Sequence, residues 1–263
     1  MRKKLVAGNW KMNLTATEAS AVVESFVGLV DQKLEVDVVL CPPYLSIHRV
    51  RDLVKKTHIS IGAQDVFWKD SGAFTSRISA PMLRDAGVDY CIVGHSETRG
   101  KFGKLETPES TVPFFAETDE TVNLKIKALL YHSIRPILCV GETLEEREAG
   151  KTDDVIRKQL AGGLLDLDAV EFGEGVVAYE PVWAIGTGKV CDADEASRVC
   201  GMIRTELAKL FDPATADRLR VLYGGSVKAS NSHQLFSMPD IDGGLVGGAS
   251  LDPHEFSLIV LNA

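Results

Sequence analysis

Val176-Val177-Ala178-Tyr179-Glu180-Pro181-Val182-Trp183-Ala184-Ile185-Gly186-Thr187-Gly188-Lys189 sets out a strand, a carboxylate and a hinged loop, in that order. Its first four residues are apolar without alternation, as in a strand buried on both faces of a parallel sheet. Glu180 follows at once. Pro181-Val182-Trp183 then makes a stiff, bulky flank, and Ala184 to Gly188 are small and permissive. Asp192 next caps a helix, with Glu195 three residues on and Ala196, Val199, Ile203, Leu207 and Leu210 on one face. This strand–loop–helix unit recurs along the chain. Apolar runs of the same kind stand at Lys4–Gly8, Asp37–Cys41, Ile59–Ala63, Tyr90–Val93, Pro136–Val140, Arg220–Tyr223 and Gly243–Val246. Helical patterns fill the intervals. Ala19, Val22, Val23, Phe26, Leu29 and Val30 form one stripe behind a Thr15–Glu18 capping box. Val122, Ile126, Leu129 and Leu130 form another. A last helix starts at Asp252-Pro253 and buries Phe256, Ile259 and Val260. Eight such units predict an α/β fold, a closed (β/α)8 barrel with right-handed crossovers. A barrel of this kind takes about 250 residues. The chain has 263, so residues 1–263 are expected to form a single domain. Gly100 to Glu117, with Pro108 and Pro113 and no clear period, reads as an extended surface loop with at most a short helical turn.

Composition narrows the function. Apolar residues make up 45% of the chain and charged residues 25%, enough to build a sizeable core. The net charge of -8 argues against nucleic acid and anionic membranes, and it requires any anionic substrate to be held by local donors. The five cysteines, Cys41, Cys91, Cys139, Cys191 and Cys200, are odd in number and lack CxxC spacing. That favours a reduced, cytoplasmic protein without disulfides or zinc. The first strand begins too early for a signal peptide to be expected, and no run of about 18 apolar residues predicts a membrane span.

Barrel chemistry sits at the C-terminal ends of the strands. Strand one ends in Asn9-Trp10-Lys11, strand four in Gly94-His95-Ser96-Glu97, strand six in Glu180 and the loop behind it, strand seven in Gly224-Gly225-Ser226 and strand eight in Gly247-Gly248. Glu180 could abstract a proton next to a carbonyl, or it could be a rim carboxylate in a salt bridge. His95 precedes what reads as the start of a short helix, which would favour a neutral imidazole able to polarise a carbonyl. Lys11 supplies the cation that an anionic substrate needs, and Asn9, two residues earlier, should point the same way along an extended strand. Glycine pairs after strands seven and eight suit a phosphate held by main-chain N–H groups. Pro181 to Lys189 reads as a lid.

Taken together, these segments resemble the triosephosphate isomerase family from about Lys4 to Ile259, interrupted only at Gly100–Glu117. The resemblance implies a TIM barrel and the interconversion of dihydroxyacetone phosphate and D-glyceraldehyde 3-phosphate through an enediolate, in glycolysis and gluconeogenesis. No metal or organic cofactor is implied. It makes Glu180 the base, His95 the electrophile and Lys11 the cation, and assigns Asn9, Lys11, Gly186, Ser226, Gly247 and Gly248 to substrate and phosphate. Tyr223 and Ser226 would hold the closed lid, with Cys139 and Glu97 just behind the reacting groups. The family is usually a homodimer, which here implies an interface through Gln64–Ser79 that brings Thr75 beside the partner's site.

Three features depart from the family pattern. Ser76-Arg77 stands where Gly-Glu is usual, Thr98 stands where an arginine is usual, and Gly100–Glu117 is longer than its counterpart. The first two predict a dimer with a rewired rim, in which Arg77 finds another carboxylate. Two other readings of the chain are a catalytically silent barrel scaffold, which would be expected to have lost Lys11, His95 or Glu180, and another phosphate-binding barrel enzyme such as a sugar-phosphate aldolase, which would want a lysine in the region of Glu180.

Overall fold

In a computed structural model that describes residues 2–30 and 35–263, eight parallel strands close into one barrel in sequence order. They are β1 (Lys4–Asn9), β2 (Val36–Cys41), β3 (Ile59–Ala63), β4 (Tyr90–Val93), β5 (Arg135–Val140), β6 (Val176–Tyr179), β7 (Arg220–Tyr223) and β8 (Gly243–Val246). β8 pairs with β1 through Leu5 to Gly8 and closes the ring, so no strand keeps a free edge. Each run expected from the apolar pattern is a strand, and three of them are one residue longer.

The apolar residues sort into two layers because successive strand residues point to opposite faces. Leu5, Ala7, Val39, Cys41, Tyr90, Ile92, Ile137, Cys139, Val176, Ala178, Leu222 and Leu245 fill the barrel. A larger layer lies between the strands and the surrounding helices, including Val23, Phe26, Val122, Ile126, Ile203, Phe256 and Ile259. The caps form as expected. The Glu18 carboxylate accepts the Thr15 N–H at 2.8 Å, and the Asp192 and Asp252 side chains accept the N–H groups of Glu195 and Glu255 at 2.8 Å. Two expected core residues are exposed, Leu29 at 47% and Leu210 at 41%, and Val22 and Leu130 are half-buried. The two exposed leucines lie toward the C-terminal ends of their helices, Ala16–Val30 and Ala193–Leu210, where little packs over the stripe's flank.

Gly100–Glu117 is a compact loop with both ends tied. The Glu117 N–H donates to the Thr98 carbonyl at 3.1 Å, and the Thr98 hydroxyl donates to Glu117 Oε2 at 2.5 Å. The Phe102 and Phe115 rings meet edge to face at 5.5 Å, and Glu109–Phe114 makes one stretch of 3-10 helix. The Glu117 carboxylate is buried, pairs with Lys125 and accepts the Gly94 N–H. Lys125 also binds Asp65 at 2.6 Å. The loop's end thereby joins the segments that follow β3 and β4. No described helix is long and apolar enough to cross a membrane.

Candidate active site

A cavity of about 330 Å³ opens at the C-terminal mouth of the barrel. Asn9, Lys11, His95, Glu180, Gly186, Ser226, Gly247 and Gly248 all line it. The structure thus gathers every residue that sequence reasoning singled out for substrate, from five strand ends far apart in the chain.

Glu180 is the first residue past β6 and is only 2% exposed. Its N–H donates to the Val140 carbonyl at 2.8 Å, which continues the β5–β6 ladder by one residue and aims the carboxylate inward. Gly141 allows this close approach, because a side chain there would overlap the Glu180 carbonyl. Glu180 Oε2 accepts the Ser96 N–H at 3.0 Å, and Oε1 lies 2.8 Å from His95 Nε2. The buried Cys139 thiol adjoins it, and burial pushes that thiol well above its usual range.

His95, 5% exposed, presents its other nitrogen to the backbone. The Glu97 N–H donates to Nδ1 at 3.1 Å. With Nδ1 an acceptor, the ring proton sits on Nε2 and points at Glu180. Burial disfavours charge on both members of this pair, and their mutual attraction opposes it. The result holds Glu180 below the usual carboxylate range and His95 above the usual imidazole range. One expectation changes here. Ser96 to Gly100 form hydrogen-bonded turns and not a helix, and Gly100, with φ of 69°, ends them. The backbone N–H on Nδ1, and no helix dipole, sets the tautomer.

Lys11 also differs from expectation. The strand stops at Asn9, and Lys11 is left-handed with φ of 53°, so alternation does not align the two side chains. Local bonds hold this conformation: the Lys11 N–H donates to Asn9 Oδ1 at 3.1 Å, and the Gln64 amide donates to the Lys11 carbonyl at 2.8 Å. A left-handed non-glycine residue costs about 1–2 kcal/mol, and here that cost brings Nζ to 2.5 Å from Glu97 Oε1 at the cavity wall.

Pro181–Lys189 covers one side of the cavity. Its base is firm, with the Trp183 indole N–H donating to Glu142 Oε1 at 2.8 Å and the Arg147 guanidinium 4.4 Å from the ring centre. The Tyr179 hydroxyl binds the same Glu142 oxygen at 3.1 Å, and burial pushes the Glu142 carboxyl up. The tip, Gly186 to Val190, is exposed. Across the cavity the Ser226 hydroxyl already reaches the Ala184 carbonyl at 3.3 Å. The buried Tyr223 hydroxyl, beside the Cys191 thiol, has no nitrogen or oxygen partner among the described residues. Gln64 and Glu142 escaped the sequence reading, yet both sit just past strand ends, where the same rule that found Glu180 applies.

Thr75 and Arg77 lie exposed in the loop after β3, away from the cavity lining. Arg77 stands over the Phe67 ring at 5.7 Å, and no described carboxylate of its own chain forms an ion pair with it. The structure does not supply the carboxylate expected for it within the chain. Ser76 is left-handed, with φ of 74°, at the position where the family usually has glycine.

The fold and this mouth define a (β/α)8-barrel protein with a paired carboxylate and imidazole, the Lys11 ammonium and a glycine-lined cradle around one cavity. A family model described as Triosephosphate isomerase matches residues 4–263. A triosephosphate isomerase of Citrifermentans bemidjiense is 48% identical over 260 residues, covering 99% of this chain and 98% of that protein. One of Clostridium tetani is 44% identical over 260 residues, covering 99% and 96%. One of Acetivibrio thermocellus is 45% identical over 258 residues, covering 98% and 97%. The chain belongs to the triosephosphate isomerase family.

Proposed function

We propose that this protein interconverts dihydroxyacetone phosphate and D-glyceraldehyde 3-phosphate, with residues 1–263 acting as one catalytic domain. The observation that carries the reading is the buried Glu180–His95 pair, with Nε2–H and carboxylate 2.8 Å apart at the wall of a cavity shared with Lys11 and the glycine cradle. The phosphate would lie on main-chain N–H groups of Gly186, Ser226, Gly247 and Gly248, and Asn9 and Lys11 would face the oxygens of the reacting carbons. Glu180 exchanges its bond to the Ser96 N–H for the substrate and removes a proton from the carbon beside the carbonyl. His95 Nε2–H polarises that carbonyl. With Glu180 turned away from Nε2, the attraction that favours imidazolium weakens, and burial then favours the neutral ring. Glu180 returns the proton to the neighbouring carbon. One carbon is oxidised as the other is reduced, so the redox change balances within the substrate. Closure of 181–189 onto the Tyr223 and Ser226 hydroxyls would exclude water and protect the enediolate from losing phosphate.

A coupled assay with glyceraldehyde 3-phosphate tests this reading, and absence of turnover overturns it and favours the silent scaffold. The pH profile provides a second test. Because Glu180 lies below its usual range, it stays a carboxylate as pH falls toward about 4.5, so base function persists there. The acid limb of kcat/KM should therefore follow not the Glu180 carboxyl but the groups that take up a proton at higher pH, the substrate's phosphate near pH 6 and the His95 imidazole held above its usual range. A limb that moved in Glu180→Asp would contradict this.

We further propose a cytoplasmic homodimer. Met12, Leu45 and Phe74 are exposed on the loops after β1, β2 and β3, which are adjacent in the barrel, and the first two are 96% and 94% exposed. Large apolar side chains on neighbouring loops suit burial against a second copy, with Thr75 entering the partner's mouth and Arg77 left for a carboxylate of that partner. Sedimentation at micromolar concentration should give a dimer, and a monomer would rule it out. Cytoplasmic placement agrees with five buried, unpaired cysteines.

A further inference from the structure

Gly103 has no room for a side chain, and what occupies that room is the base of the lid. A methyl group on Gly103 would overlap the Ile185 carbonyl oxygen, lie 2.6 Å from the Val182 carbonyl oxygen and come within 3.0 Å of Thr187 Cγ2. All three neighbours belong to 181–189. Gly103 is not left-handed, so alanine there meets no left-handed backbone penalty, and the three nearest obstacles all belong to the lid. The segment that carries Gly103 is held from both sides. Phe102 packs on Phe115 at the far end of the long loop, and the Lys101 ammonium binds Glu146 at 3.0 Å. Glu146 is next to Arg147, which stacks on Trp183 of the lid. At the tip, the Thr187 methyl still reaches Gly103, whereas side chains on Gly186 or Gly188 would meet open space. The lid is therefore exposed at its tip and seated at its base on Gly103.

We propose that Gly103 is a positioning residue for the lid. Its bare backbone is the seat on which Val182–Thr187 rest while the site is open, and the tied loop 100–117 holds that seat in place. The inference rests on the isomerase reading of the lid. A side chain at position 103 would destabilise the open state selectively, since closure carries the Val182 and Ile185 carbonyls off the seat. A ligand bound by the closed state then binds more tightly, because less of its binding free energy goes into closing the lid.

Gly103→Ala tests this. The KM for glyceraldehyde 3-phosphate and the inhibition constant for 2-phosphoglycolate, whose carboxylate resembles the enediolate, should both fall about 3- to 10-fold. The kcat should fall with them, since a lid that reopens less readily releases product more slowly. A merely structural role would instead raise KM or leave it alone, and either result overturns the seat. If the wild-type protein shows no turnover, the isomerase reading fails. If wild type turns over and Gly103→Ala leaves both constants unchanged, only the seat fails. A measurement on the wild type guards against a variant that does not fold. Saturating 2-phosphoglycolate should slow amide exchange in 182–187 and speed it at Gly103 and Lys104 as the lid departs, and unchanged exchange at 103–104 would overturn the proposal.

Discussion

Glu180→Gln should lower kcat for glyceraldehyde 3-phosphate by about 10³- to 10⁴-fold, while KM moves only a few-fold. Glutamine keeps the volume and the length but loses the basic site, so substrate can still be held and its proton has nowhere to go. The structure adds a local cost. Glu180 receives two donors, the Ser96 N–H and His95 Nε2–H, on separate oxygens. Glutamine offers one oxygen and an NH2, so one donor faces another donor, and a small loss of stability of about 1–3 kcal/mol accompanies the loss of rate. Glu180→Asp separates the two effects. It keeps both acceptors and recedes by one methylene, and a displacement of about 1 Å from a reacting atom costs on the order of 10²-fold. A Glu180→Gln enzyme within tenfold of wild type would remove Glu180 from the mechanism. So would an aspartate variant slower than the glutamine variant.

Lys11→Ala should cost about 10³-fold in kcat/KM, with KM raised as well as kcat lowered. The whole chain carries a charge of -8, and the dianionic substrate approaches against that field. Lys11 is the cation bonded to Glu97 at the cavity wall. Removing it leaves the Glu97 carboxylate unpaired beside the incoming anion, so the variant loses attraction and gains repulsion. Raised salt should return part of the loss in KM by screening that repulsion, and little of the loss in kcat. Alanine is preferable to glycine for this test, because glycine would also relieve the left-handed backbone at φ 53° and change the Asn9 and Gln64 contacts. An unchanged kcat/KM would contradict the role.

Both predictions concern residues that strand ends alone pointed to, and the reason is geometric. A parallel barrel sends every strand's C-terminal end to one mouth, so a residue's position just past an apolar run already places it near the others. Glu180, His95, Lys11 and the two glycine pairs were legible for that reason. The same logic reached Gln64 and Glu142 only in hindsight, since a polar residue after a strand does not announce which neighbour it binds. The sequence predicts a neutral His95 from a helix that does not form, and what the structure fixes is its tautomer. Its true cause is one N–H, that of Glu97, whose direction depends on a turn ended by Gly100. Leu29 and Leu210 misled because a helical stripe shows which face is apolar but not how widely its neighbours cover it.

What the sequence determined by itself is the periodic part: eight buried strands, the capped helices between them and the order of groups around the mouth. Those follow from local spacing of apolar residues, which alternates or turns with a period that a single strand or helix imposes. Tertiary structure alone decided the contacts between segments distant in the chain. It set Glu180 against His95 and Ser96, bent Lys11 into the left-handed region under Gln64, bound Trp183 to Glu142 and seated the lid's base on Gly103 of the long loop. Such contacts depend on where two backbones pass within a few ångströms of each other. That distance is fixed by the packing of the whole barrel, and no local pattern of residues encodes it.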